Sequence, residues 1–379
     1  MSTSTAIGQN AAQNSGESQH YESESYWRLV GKRFRRNRMA MLGCAMIALL
    51  LTIVIFGDFL APSDPTKRNS QYLYQPPQTL NFVHEGEFSL RPFVYPRIEI
   101  FDPVTFELSY EEDKENPVYL EFFVESWEYS FLGLFKTNTH LFALENGEPI
   151  FLLGSDSLGR DMLGRIFQGT RLTLLMALLV VTLTMAIGTL LGIASGYFGG
   201  KVDMVMQRVV ELVMSFPDLP IYLALIAVLP RNTDSSTLFI LMVVVMSSLK
   251  WAQLCREIRG KTLAMRNMDY VRAADAVGIG HWRIITRHIM PNVFSHVVVV
   301  ATISIPSIIL MESFLSFLGV GIKPPLVSWG LLLNNVRDFQ AIGSYPWLLA
   351  PVGFILIAVL GFNAMGDGLR DAMDPYSKK

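Results

Sequence analysis

The chain of 379 residues has a net charge of −2, 51% hydrophobic residues and only 17% charged residues, where an average soluble domain carries roughly 25% charged. Its mean hydropathy is +0.34 and its apolar residues gather in long blocks, which excludes a disordered chain, a secreted disulfide scaffold and an ordinary soluble enzyme. The charge balance gives no support to nucleic acid as a partner, and the two cysteines, Cys44 and Cys255, support neither a disulfide framework nor a metal cluster.

In chain order, residues 1–25 are rich in Ser, Gln, Asn and Glu and read as a disordered cytoplasmic tail. Residues 26–61 read as a basic cytoplasmic segment leading into a first transmembrane helix over Met39–Leu60, an anchor without an A-x-A cleavage site. Residues 62–170 form one long external segment with 17 acidic and 8 basic residues. Strand-like pieces at Phe88–Val94 and Val118–Val124, with Pro and Asn-Gly punctuation, predict a small mixed or β-rich insert, dispensable for membrane assembly. Residues 171–366 hold five further apolar blocks. The first lies between Arg171 and Lys201 without a single charge. Val205–Leu229 contains Glu211, Asp218, Pro217 and Pro220, and the prolines predict a kink or break. The block from Asp234 to Lys250 is short and needs its flanks to span; Asn292–Leu315 and Pro346–Met365 complete six, before a tail at 367–379. The fold class is an all-α membrane protein with six spans.

Orientation follows from lysine and arginine in the flanks. Arg28, Lys32, Arg33, Arg35, Arg36 and Arg38 precede the first span, and the segment between spans four and five carries eight bases against three acids. Six spans place these segments and both termini on one side, the cytoplasm by the positive-inside rule.

Within the segment between spans four and five, the loop 257–291 carries the main signal. Asp269 is placed to cap a short helix through Ala273, Ala274 and Ala276; Gly278 or Gly280 ends it in a left-handed turn, and a second helix from Trp282 stops before Pro291. The small Ala273–Ala274 face admits a close protein neighbour, although an ordinary surface hairpin has the same composition. The segment resembles the EAA loop of the permease subunits of ATP-binding-cassette importers: Ala273, Ala274, Gly278 and Pro291 fall at the matching spacing. Arg272 stands where that pattern has Glu, His288 where it has Ile and Met290 where it has Leu, which puts a role for the glutamate in doubt.

Three further segments are similar to the dipeptide and oligopeptide permease family. They are Gly154-Ser-Asp-Ser-Leu-Gly-Arg-Asp161, the stretch Glu312 to Gly321 followed by Pro324-Pro325 and Ser328-Trp329-Gly330, and Phe362 to Pro375. The long external segment resembles the subgroup importing microcin C-type peptides. The resemblance implies a type I importer permease fold in the bacterial inner membrane and a translocated peptide. It also implies four partners besides lipid: a homologous second permease, two ATPase domains and a periplasmic peptide-binding protein. Arg272, Ala273, Ala274, Asp275, Gly278 and Pro291 then form the ATPase-coupling loop, and no cofactor is implied.

Other patterns are weaker. Gly260-Lys261-Thr262 lacks the earlier glycine of a phosphate-binding loop, since Cys255 occupies that place. Ser155-Asp-Ser-Leu-Gly159 lacks the first glycine of a nucleophile elbow, and the six histidines are scattered. Hence the chain reads as a transporter subunit without its own ATPase site. Gly188, Gly192 and Gly196 form a small-residue stripe for close helix packing, within the subunit or against its partner, or for a gating hinge. Intramembrane acids must face protein or water. Glu211 has Arg208 three residues earlier, whereas Glu312 has no local partner and is open to two readings, a candidate for the translocation path or one half of a structural pair. The competing function is an ion-coupled secondary transporter, which needs paired intramembrane charges or inverted halves.

Overall fold

The computed structural model describes residues 26–374 apart from 102, 104–107, 229, 231 and 338; the expected tail 1–25, residues 375–379 and the end of the third apolar block at Leu229 lie outside the described residues. A short amphipathic helix, α1 (Tyr26–Arg36), leads through Asn37 into α2 (Arg38–Leu60), where the Asn37 side chain accepts from the amides of Met39 and Ala40. The insert contributes β1 (Asn81–His84), β2 (Glu87–Val94), β3 (Arg97–Phe101), β4 (Leu108–Glu112), β5 (Val118–Phe131) and β6 (Phe135–Leu144). The helical body follows: α3 (Met162–Phe198), α4 (Gly200–Met214), α5 (Asp218–Ala227), α6 (Ser235–Arg266), α7 (Asp269–Ala276), α8 (His281–Ile284), a π-helical turn (Ile285–Ile289), α9 (Met290–Phe317), α10 (Trp329–Leu333), α11 (Phe339–Ser344) and α12 (Ala350–Met373).

Among the described residues five helical stretches are long and apolar enough to cross a membrane: Arg38–Leu60, Met162–Phe198, Ser235–Arg266, His281–Phe317 and Pro346–Met373. The third block breaks at its prolines, as expected. It forms two helices, α4 and α5, bent by 82°, and makes a sixth span only if the pair is counted as one. Pro217 causes the break, because it lacks an N–H and restricts Phe216 before it. The short fourth block spans by growing to 32 residues, and α12 runs on through Met373, so much of the expected tail 367–379 is helical. α3 has 37 residues, about 55 Å at 1.5 Å per residue, well beyond the roughly 30 Å of hydrocarbon.

The helices pack into one large core. α1 and the end of α12 meet where Arg33 donates to the Asp374 carbonyl at 3.0 Å, and Gly368 lies against Ala40 and Phe34. The two ends of the described chain therefore share one side with the loop between α6 and α9; the insert lies on the other. Arg208 pairs with Glu211 at 2.7 Å, as the spacing predicts.

The insert is a four-stranded antiparallel sheet in the order β1-β2-β5-β6, with β3–β4 as a separate hairpin. Val94, Leu120, Leu144 and Ile150 make its small core. Its leading segment is not separable from the helical body. Gln75 N–H donates to Ser155 Oγ at 2.8 Å, the Phe151 amide donates to Gln78 Oε1 at 2.8 Å, and Tyr74 stacks on Tyr345 at 4.0 Å.

Candidate functional site

On the loop side the resemblance-bearing segment 267–291 is exposed over much of its length. α7 begins after Met268, and Asp269 occupies its first turn without a side-chain cap, a correction to the expected capping role. Gly278, at φ +80°, ends α7. Its N–H donates to the Asp275 carbonyl at 2.9 Å and the Ile279 N–H to the Ala274 carbonyl at 3.1 Å, the two bonds of a Schellman turn. Gly280 precedes α8. The helix does not stop before Pro291. The Met290 N–H reaches back to the Ile285 carbonyl, a π-helical bond, and α8, the π turn and α9 run on as one rod. The wider turn accommodates a proline that has no N–H to give and whose ring crowds the carbonyl four residues earlier.

The faces of α7 differ from the sequence expectation in one respect. Val271 and Ala274 are buried in the core with Ile284, Ile285 and Ile289, so Ala274 is turned away from any docked neighbour. Arg272, Ala273, Asp275 and Gly278 are exposed, as is Pro291. The outward surface continues through Val277, 82% exposed, and Trp282, 73% exposed. Beside it lies a cavity of about 330 Å³ walled by Tyr197, Arg266, Arg272, Asp275 and His281. Tyr197, at the end of α3, hydrogen-bonds His281 Nδ1 at 2.9 Å.

Behind this surface α3 meets α6 along the glycine stripe. A Cβ on Gly188 would stand 2.9 Å from the Trp251 carbonyl, on Gly192 2.7 Å from the Cys255 carbonyl, and on Gly196 2.8 Å from the Arg259 carbonyl. The stripe is thus an intrasubunit contact, in which small residues let backbones approach. Below it, Asp203 of α4 accepts from Ser195 at 2.6 Å and pairs with Arg259 at 2.5 Å. Sequence reading missed this network; the one signal was an acid and a base at matching ends of neighbouring helices. Gly260–Thr262 lie inside α6, so no phosphate-cradling loop forms there.

Two further resemblance-bearing segments, 154–161 and 312–330, form internal locks on the insert side, while 362–374 ends α12 on the loop side. In 154–161, Asp156 is fully buried and holds two arginines, Arg160 at 2.6 Å and Arg165, while its other oxygen accepts from the amides of Leu158 and Arg160. Asp161 caps α3 through the amides of Leu163 and Gly164; burial pushes its carboxyl up to about 7 against the pull of those donors. Trp347 Nε1 donates to the Ser155 carbonyl at 3.0 Å, tying this segment to the start of the last span. Trp329 of α10, wholly buried, donates to Thr170 and Thr173 of α3. Glu312 is 1% exposed, and Ser316 Oγ donates to its Oε1 at 2.7 Å while accepting from the Ile322 amide. The carboxyl is enclosed within its own subunit. No group of three or more metal-ligating side chains is present among the described residues.

Residues 188–379, which include the exposed loop and the lock at Ser328–Gly330, match the family described as the inner membrane component of binding-protein-dependent transport systems. The chain belongs to this family. Residues 25–77 of the permease also match the N-terminal transmembrane domain of oligopeptide transport permease C. The dipeptide transport system permease protein DppC of Haemophilus influenzae is 30% identical over 91% of this chain and 93% of its own. The oligopeptide transport system permease protein OppC of Bacillus subtilis is 29% identical over 97% and 96%. The OppC protein of Escherichia coli K12 is 41% identical over 59% of this chain and 72% of its own.

Proposed function

We propose that this permease subunit carries peptides across the bacterial inner membrane, driven by ATP hydrolysed on two separate ATPase domains, with a homologous second permease and a periplasmic peptide-binding protein completing the complex. The observation that carries this reading is the exposed Val277–Trp282 surface, whose Trp282 lies on a helix continuous with a membrane span. It offers a docked ATPase a direct mechanical hold on α9. The relatives named for oligopeptide and dipeptide transport support peptides as substrate, microcin C-like peptides being within that class. The eight bases between spans four and five support a cytoplasmic side for this loop and for both termini.

In this reading Arg272, Ala273, Asp275 and the neighbouring Val277 and Trp282 contact the ATPase. Gly278 and Pro291 shape the contact, and Ala274 supports it from inside. Glu312 acts by holding α9 to the chain around Ile322 and Ser328, bordering the path rather than touching peptide. The test is labelled-peptide uptake by the full complex in proteoliposomes. Uptake should require both ATP and the binding protein and survive collapse of ion gradients. Uptake without nucleotide, driven by an imposed gradient, would instead establish an ion-coupled secondary transporter.

A further inference from the structure

The β5–β6 hairpin ends in a feature that the transport reading leaves unused. From Tyr129 to Phe135 its sequence, Tyr-Ser-Phe-Leu-Gly-Leu-Phe, carries no charge, and the pair Lys136–Glu128, at 2.6 Å, closes the run from above. At the tip Leu132 is 46%, Leu134 78% and Phe135 58% exposed. The turn itself is unusual. Leu132 at φ +49° and Gly133 at φ +74° are followed by a 2.9 Å bond from the Leu134 amide to the Phe131 carbonyl. Two consecutive positive φ angles define a turn that favours Asn-Gly or Asp-Gly in water. A leucine at the first of these positions sets an apolar side chain where a polar one is the usual choice.

The hairpin's position names the neighbour. His140 bonds the Asp58 carbonyl at 3.0 Å, and Phe59 faces Phe123. The Asp58–Arg171 pair, at 3.0 Å, marks the polar boundary at this end of α2 and α3. Phe131 reaches past that boundary to Phe56, with ring centroids 5.9 Å apart. Phe56 is 42% exposed on a helix apolar enough to span the bilayer. The tip is therefore continuous with the membrane-facing surface of α2. Just above it Trp127 and Tyr129 pack on each other and on His140, so the aromatic residues there are spent inside the hairpin and the uncharged tip is what faces outward. The β1–β2 hairpin also exposes apolar residues, Phe88 and Leu90, but interleaves them with Glu85, Glu87 and Arg91, a composition suited to water.

We propose that the tip of the β5–β6 hairpin, residues 131–135, is seated in the interfacial layer of the lipid bilayer beside α2 and pins the insert to the membrane surface. The test uses the full complex in nanodiscs of phosphatidylethanolamine and phosphatidylglycerol, in a Cys44→Ala, Cys255→Ala background. Spin labels go on Leu134→Cys, on Phe135→Cys and, as reference, on Leu90→Cys. Collision with lipid-soluble oxygen should exceed collision with a water-soluble nickel chelate several-fold at Leu134 and Phe135, and the order should reverse at Leu90. Nickel access at Leu134 and Phe135 equal to that at Leu90 would place the tip in water and overturn the proposal. Loss of access to both reagents would place it against protein and overturn it equally. Using both tip positions guards against one label disturbing the turn.

Discussion

Truncating Trp282 to alanine isolates the proposed docking surface from the fold behind it. The side chain is 73% exposed, so its loss removes little from the subunit's own core. A packed aromatic side chain buries about 150–250 Å². The exposed share is therefore about 110–180 Å², worth at most roughly 3–4.5 kcal/mol at about 25 cal/mol per Å². Interfaces realise part of such a ceiling; a loss of about 2 kcal/mol, at the threshold for a dominant contact, weakens binding roughly 30-fold. Val277→Asp, at a position 82% exposed, should add a desolvation penalty and act in the same direction. Equilibrium binding of purified ATPase subunit to the permease pair in nanodiscs measures both, beside thermal unfolding of the permease pair alone. Affinity should fall at unchanged unfolding temperature. Wild-type affinity in both variants would refute the placement of the ATPase on this face. Ala274→Trp is the contrast: it intrudes on Val271 and Ile284 and should lower the unfolding temperature before any partner is added.

Gly278→Val should destabilise the loop by about 1–2 kcal/mol through backbone strain alone, because nothing lies within 4 Å of an added Cβ; Gly278→Asn should recover most uptake, and a full loss with Asn would point to a side-chain contact instead. Gly192→Leu should break the α3–α6 contact, well beyond the roughly 1–3 kcal/mol of an added methylene, whereas Gly260→Ala, with open space around it, should be neutral or stabilising by up to about 1 kcal/mol; reversible unfolding in mixed micelles separates them, and equal effects would disprove the packing account. Asp156→Asn should cost about 3–5 kcal/mol by leaving buried Arg165 unpaired, and a double Asp156→Leu, Arg165→Met variant should recover part of it; an unfolding midpoint for Asp156→Asn equal to wild type would sink this account. Glu312→Gln should lower uptake with expression near normal, and unchanged uptake of acidic, neutral and basic peptides would leave Glu312 a packing residue only.

The features legible in the sequence were those set by local periodicity. Glycines four residues apart face one way on any helix, so the Gly188–Gly196 stripe needed only a partner, which the structure supplies as α6. A glycine after an alanine-rich turn implies a left-handed cap, and Gly278 adopts one. Ala274 was misplaced because its small size was weighed ahead of its spacing: it lies three residues after Val271, and that interval sets both on one helical face, the inner one. The Asp156 lock was missed because its partners meet through a loop whose path local pattern does not define. The signal present was Arg165, a charge in the first turn of a span that needs a counter-charge. Asp203–Arg259 joins residues 56 apart in the chain, which only the packing of α4 against α6 aligns.

Pro291 shows why the loop and the span have to be read as one object. A proline inside the pattern normally ends a helix, which would have left the docking surface on a hinge. Instead the π turn at Ile285–Ile289 carries the helix past it, and His281–Phe317 forms a rod of 37 residues, about 55 Å long. Trp282 stands near one end. Near the other, Glu312 and Ser316 grip the Ile322 amide, and Gly330 packs so closely that a Cβ there would stand 2.5 Å from the Ser313 carbonyl. A hinge would let the ATPase move the loop and leave the membrane helices in place. In the proposed reading the continuous helix, which also contains Pro306, carries a displacement of Trp282 to Ser313 and Ser316, and with them to the segment that seats Trp329 against α3. The contacts that resist this displacement, Asp156 with Arg165 and Ser155 with Trp347, lie at the same far end. In the proposed cycle the loop is therefore the driven end, and the buried locks at 154–165 and 312–330 are the load it must rotate.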